Sequence, residues 1–138
     1  MKKIKIFTML AVLLITSLGL FSIEKADASS SGWATKNGIK AQVSTNKDTY
    51  GNEQIVVTGE KTGTGTFYYW VSLDKLTVGP ASPWEQVGES QFGSFTNKTS
   101  GIKFSHSGKG IYKVNFKIFR DQAKMDYVGE WETNISVK

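Results

Sequence analysis

The stretch IYKVNFKIFR, residues 111–120, decides the fold. Tyr112, Val114, Phe116 and Ile118 fall on one parity, and Ile111, Lys113, Asn115, Lys117 and Phe119 on the other. Successive side chains of a strand point to opposite faces, so the alternation sends an apolar row inward and a lysine-bearing row outward. The turn Asp121-Gln122-Ala123-Lys124 follows, and the period of two resumes. Met125, Tyr127, Gly129, Trp131, Thr133, Ile135 and Val137 share one parity, which predicts one long strand bulged at Gly129.

The same period runs upstream. Asn37-Gly38 is a turn signal before a strand at 39–45, where Ile39, Ala41 and Val43 alternate with Lys40, Gln42 and Ser44. A second strand at 53–59 holds Ile55, Val56 and Val57. A Gly-Thr loop leads into a third at 66–74, and shorter strands are predicted at 84–88, 90–96 and 102–106. The stretch 78–83 carries both prolines and cannot be a central strand. No window sustains helical spacing. Short strands about ten residues apart predict an all-β fold, an antiparallel β-sandwich of about seven to eight strands.

Three pieces resemble an immunoglobulin-like sandwich of the kind found in bacterial secreted and surface proteins. TYGNEQIVVTG, 49–59, is similar to the loop and second strand of such domains, and TFYYWVSL, 66–73, to the third strand, where the family often buries a Trp. HSGKGIYKVNFKI, 106–118, is similar to the penultimate strand. There the resemblance implies that Tyr112 caps the sheet corner through its hydroxyl. Val114, and Val57 or Ile55, stand where some relatives carry a disulfide. The fold itself implies no active site.

The first residues, MKKIKIFTMLAVLLITSLGLFSIEKADASS, combine a basic start, an apolar run and a small-x-small site at Ala26-Asp27-Ala28. This is the pattern of a secretory signal. The expected organisation is a signal peptide at 1–28, forming a signal helix, a flexible leader at 29–36 and one β-sandwich domain at 37–138. The expected localisation is secreted, extracellular or wall-associated, with no stable membrane insertion once the signal is removed. Removing its four Lys, one Glu and one Asp lowers the net charge from +5 to +3. That balance suits anionic wall polymers and is too weak to argue nucleic acid. The chain has no cysteine, which excludes thiol nucleophiles and disulfide support.

No catalytic set stands out. His106 is the single histidine, flanked by Ser105 and Ser107, which a strand would point away from it. Glu85 with Glu89, and Glu130 with Glu132, are carboxylate pairs that read as solvated acids. In the loop NKDTYGNE, Asn46, Asp48, Asn52 and Glu53 supply oxygen donors but lack the opening acids and closing glutamate of a calcium loop. Asn and Asp in a turn are better explained by bonds to nearby backbone. No cofactor or metal is expected.

Binding is the better class. Phe67, Tyr68, Tyr69 and Trp70 run consecutively, so one pair faces the core and the other does not. Periodicity alone continues Phe67 and Tyr69 into Val71 and Leu73 and leaves Tyr68 and Trp70 outward. The family resemblance implies the opposite, and the reading adopted is Trp70 and Tyr68 inward, with Phe67 and Tyr69 outward. With Trp84, from the Pro-containing loop, these four are the candidate binding aromatics, suited to stacking on sugars or anchoring a protein. The expected function is a secreted, non-enzymatic binding protein for an extracellular protein, wall polymer or glycan. The alternative is a small secreted antagonist, a bacteriocin-like toxin or an inhibitor of an extracellular hydrolase, using the loop from 78 to 84 as a plug.

Overall fold

The computed structural model describes residues 28–77 and 83–138, and these form only strands and turns. The strands are β1 (Ala34–Lys36), β2 (Ile39–Thr45), β3 (Thr49–Tyr50), β4 (Ile55–Lys61) and β5 (Phe67–Leu76), then β6 (Trp84–Gln86), β7 (Gln91–Phe95), β8 (Ile102–Phe104), β9 (Gly110–Phe119) and β10 (Tyr127–Val137). A four-stranded sheet runs β1-β2-β4-β8. A six-stranded sheet runs β3-β10-β9-β5-β6, with β7 beside the first half of β5. The short β3–β10 pair is parallel, and the other pairs are antiparallel. The fold is therefore the all-β sandwich that the alternation predicts. The expected signal helix, apart from Ala28, lies outside the described residues.

Two of the strands have no apolar rhythm to announce them. β1 is made of exposed Ala34, Thr35 and Lys36, and it exists because Asn37-Gly38 folds it back onto β2. Both turn residues have positive φ, 48° and 82°, as a two-residue hairpin of matching twist requires. The leader expected at 29–36 is thus corrected: it carries β1, and Ser30 bridges to Ser44. Ser29 reaches the other sheet, its hydroxyl 2.5 Å from Thr133 Oγ1 and 2.7 Å from the Asn134 carbonyl.

The inner row of β9 behaves as its spacing predicts: Tyr112, Val114, Phe116 and Ile118 are all fully buried. They face Val43, Ile55 and Val57 of the four-stranded sheet and lie beside Val71, Leu73, Trp131 and Ile135. The Tyr112 hydroxyl donates to the Gly108 carbonyl at 2.6 Å and accepts the Ser107 N–H at 3.1 Å, which pins the entry to β9. The predicted bulge is present: register shifts between Tyr127 and Gly129. It turns Val128 inward and leaves Tyr127 exposed, so Tyr127 does not share the buried side of Trp131, Thr133, Ile135 and Val137.

Gly59 of the four-stranded sheet lies directly against Phe116 of the other. A Cβ on Gly59 would lie 2.1 Å from Phe116 Cζ. The ring therefore fills the volume that any other residue at 59 would occupy. Around it, Tyr69 stacks on Phe116 at 5.5 Å between centroids, and Phe95 meets Phe116 edge-on at 5.8 Å. Gly93 gives way similarly, since its Cβ would lie 2.4 Å from Tyr69 Oη.

At the end of β4, Lys61 points inward and is 3% exposed. Its ammonium has no hydrogen-bond partner among the described residues and sits 4.4 Å from the centroid of Phe67 and 5.9 Å from that of Phe95. Burial pulls its pKa down. Ring contact only partly offsets the desolvation of a buried ammonium.

Two stability predictions follow from these contacts. Gly59→Ala should cost about 1–3 kcal/mol in urea unfolding by overpacking, and Phe116→Leu in the same chain should recover part of it. Lys61→Met keeps the apolar stem and removes the charge, so it should stabilise by about 1 kcal/mol at neutral pH. The sign follows from the lowered pKa: the charged form is the disfavoured one in the fold, so the penalty is present at low pH and fades as pH rises through the folded pKa.

Candidate functional site

The sandwich core closes with Trp70 outside it. β5 buries Val71 and Leu73 completely and packs Phe67 and Tyr69 against the core, so the odd parity is inward. The adopted reading of Trp70 and Tyr68 as inward is corrected. The reason is local packing: under β5, Tyr69 stacks on Phe116 and meets Phe95 edge-on. The sandwich does bury a Trp, but it is Trp131 on β10, with its indole N–H donating to the Ala34 carbonyl at 3.1 Å.

The outer face of the six-stranded sheet collects the rest. Strand pairing sets Trp70 beside Phe92 of β7 and Lys117 of β9, and sets Tyr68 beside Phe119. Trp70 and Phe92 are 5.3 Å apart at their ring centroids and are 37% and 53% exposed. The Lys117 ammonium lies 5.2 Å from the Trp70 ring, and Lys124 lies 4.8 Å from Phe92. Phe119, beside Tyr68 on this face, is buried and packs on exposed Tyr127. Lys124 comes from the β9–β10 turn with φ of 61°. Asp121 holds that turn by accepting the N–H groups of Met125 and Asp126 at 3.0 and 2.9 Å. These bonds, that of Asp126 foremost, keep the Asp121 carboxyl below its usual pKa.

Of the five expected aromatics, the structure brings Tyr68 and Trp70 together on this face and sends Phe67 and Tyr69 inward. Trp84 is on the same face but pairs with Leu76, six residues along β5 from Trp70, about 20 Å at the rise of a strand. It carries its own cation, with Lys113 at 4.6 Å. Between the two groups lie Ser72 and the Asn115–Asp74 hydrogen bond of 2.8 Å. The sequence reading missed Phe92, Lys117 and Lys124. The outward parity of Lys117 was legible in β9, but its nearness to Trp70 depends on the β5–β9 register. Residues 78–82 of the suggested plug loop lie outside the described residues.

His106, Glu130 with Glu132, and the 46–53 loop are the other candidates. His106 Nδ1 accepts the Gly108 N–H at 3.3 Å within its own turn. Glu130 and Glu132 share the outer face, and burial followed by the charge of Glu132 pushes the Glu130 pKa up. In the 46–53 loop, Asn46 Oδ1 is occupied by the buried Tyr50 hydroxyl, and Glu53 pairs with Lys47 at 2.7 Å while accepting the Gly51 N–H at 3.0 Å. Those bonds, the Lys47 one foremost, lower the Glu53 pKa to about 2. Among the described residues, no group of three acids or histidines converges on a metal site. A carboxyl titration followed by NMR should place Glu53 near 2, and Lys47→Met should return it toward 4.5. The pair then contributes to stability above the ordinary carboxyl range and is lost as pH falls through about 2.

Comparison with known proteins adds the family. No curated protein matches the sequence. Among solved structures, a copper-bound variant of FetP from uropathogenic Escherichia coli strain F11 is 12% identical, with a TM-score of 0.45 over 79% of this chain and 95% of that one. CsgH from R. palustris is 12% identical, with a TM-score of 0.34 over 80% and 90%. A β-glucosidase from Listeria innocua, in complex with isofagomine, is 15% identical with a TM-score of 0.32, and the match spans 72% of this chain and 16% of the enzyme. Similarities this distant carry no functional argument. The family model of the YqgA MG2 macroglobulin domain, in contrast, matches residues 26–137, which include all ten strands. The chain belongs to the YqgA MG2 macroglobulin domain family, and its immunoglobulin-like sandwich is the fold of a macroglobulin domain.

Proposed function

We propose that this chain is a secreted, non-enzymatic binding domain that holds an extracellular protein, wall polymer or glycan on the outer face of its six-stranded sheet. One observation carries the reading. Trp70 and Phe92 stand exposed as a contacting pair, flanked by Lys117 and Lys124, although the core is complete without them. A contiguous aromatic patch in water costs solvation free energy, and binding would recover it. Its amphipathic rings and ammonium groups suit a ligand that offers flat apolar faces together with anionic or hydroxyl groups. Secretion rests on the signal pattern of the first residues.

Retention of the labelled domain on purified cell walls, and on immobilised proteins from culture supernatant, tests the reading. Trp70→Ala with Phe92→Ala should lower retention on one of the two by roughly tenfold or more, equivalent to about 1.4 kcal/mol. Melting should be unchanged, because both side chains lie outside the core. Trp33→Ala, an exposed indole on the N-terminal segment, should leave retention as it was. Equal retention of the double variant and the parent would sink the proposal.

A further inference from the structure

β10 is the edge of the six-stranded sheet along most of its length, because β3 covers only Ser136 and Val137. Alternation fixes which backbone groups face away from β9. The Ser136 N–H bonds to Asp48 of the β3 side, so residues 134, 132 and 130 point the same way. Side chains of the N-terminal segment cap three of the carbonyls. Asn37 Nδ2 donates to Val128 O at 2.6 Å, the Lys36 ammonium donates to Glu130 O, and the Ser29 hydroxyl donates to Asn134 O at 2.7 Å. The N–H groups of Glu130, Glu132 and Asn134 and the carbonyl of Glu132 have no partner among the described residues. Those of Glu130 and Glu132 border a groove of about 630 Å³ whose opposite wall is Ser31, Ala34, Lys36 and Asn37. The N-terminal segment thus follows the edge and pairs with the other sheet instead of this one.

We propose that this open edge of β10 is a strand-addition site for an extended peptide that alternates basic and small apolar residues. Main-chain pairing along a free sheet edge supplies affinity, and alternate side chains supply selectivity. Once Ser29 leaves the Asn134 carbonyl, the registers from 130 to 134 accept about five residues, close to 13 Å at the rise of a strand. On the outer face, an added side chain lies beside Glu130, which has Lys117 across from it on β9, and beside Glu132, two carboxylates on one side of one strand. A lysine or arginine there offsets their mutual repulsion. On the inner face, the neighbours are Ala34 and the covered indole of Trp131, which leave room for a small apolar group. A second copy of this chain fits poorly, since antiparallel β10–β10 pairing sets the same acids against each other. Lys36 acts as a movable cap: its stem lies across Gly129, whose Cβ would approach Lys36 Cβ to 2.9 Å. Swinging it aside frees the Glu130 carbonyl for the incoming strand.

The probe is the acetylated peptide Lys-Val-Lys-Val-Lys-Val-Lys, with Glu-Val and backbone N-methylated versions as controls. In the free protein, the amides of 130, 132 and 134 should exchange rapidly while those of 131 and 133 are protected by β9. The Lys-Val peptide should protect all three, and neither control should. Glu132→Pro removes an N–H that no described residue uses, a change edge strands tolerate. It should weaken the peptide at least roughly tenfold relative to Glu132→Ala. Protection of these amides in the free protein, equal binding by Glu132→Pro and Glu132→Ala, or binding of the N-methylated peptide would each overturn the proposal. So would a dimer that dissociates in Glu132→Pro, because the edge would then belong to a second copy. The N-methylated control leaves the protein unaltered, so it decides the matter even if Glu132→Pro fails to fold.

Discussion

The ring of Phe116 takes the place of a side chain on Gly59, and much of the molecule is arranged around that exchange. A glycine inside a strand gives up packing and backbone order. Here it lets the two sheets close on an aromatic ring that would otherwise hold them apart. Phe116 then offers a flat surface to Tyr69 and an edge to Phe95. Once Tyr69 is stacked inward, Val71 and Leu73 follow it into the core, and Trp70 must face outward. Gly93 completes the arrangement by yielding to the Tyr69 hydroxyl. A contact between sheets thus determines what the opposite surface of one sheet displays.

Most of the fold was legible in the sequence, and the reason is chemical contrast. In β2, β9 and most of β10, apolar and polar residues alternate, and a one-residue error would bury a lysine in β2 or β9 and two glutamates in β10. The first half of β5 lacks that contrast, because Phe67 through Trp70 are aromatic on both parities. Only Val71 and Leu73 break the tie, and family resemblance pulled the other way, toward a buried Trp70. The indole such sandwiches bury is present, but Trp131 on β10 supplies it. β1 and β3 were unreadable for a different reason: their strand character comes from a hairpin turn and a neighbouring edge, not from their own residues. The candidate site was half visible. Tyr68 and Trp70 follow from parity, whereas Phe92 and Lys124 arrive through β7 pairing and the Asp121 turn, which are tertiary facts.

Charge is distributed unevenly between the outer face of the six-stranded sheet and the open edge of β10. Lysines attend the rings of the outer face, with Lys117, Lys124 and Lys113 each over a different aromatic. Acids attend the neighbouring edge, where Glu130 and Glu132 stand together. A modest net charge therefore conceals a division of labour: one face is suited to anionic or hydroxylated ligands, and one edge to cationic chain. The macroglobulin-domain architecture permits both, since sandwich faces and edges are chemically independent surfaces.

The indoles carry a practical consequence of their placement. Trp131 is sealed from water by the β1 hairpin, whereas Trp33 and Trp70 are open to it. The intrinsic emission of the protein therefore has an inner and an outer component. The inner, blue-shifted part reports on whether the sandwich is closed, and the outer part, accessible to soluble quenchers, reports on what touches its surface. Folding and ligand contact can thus be followed separately in one unlabelled sample.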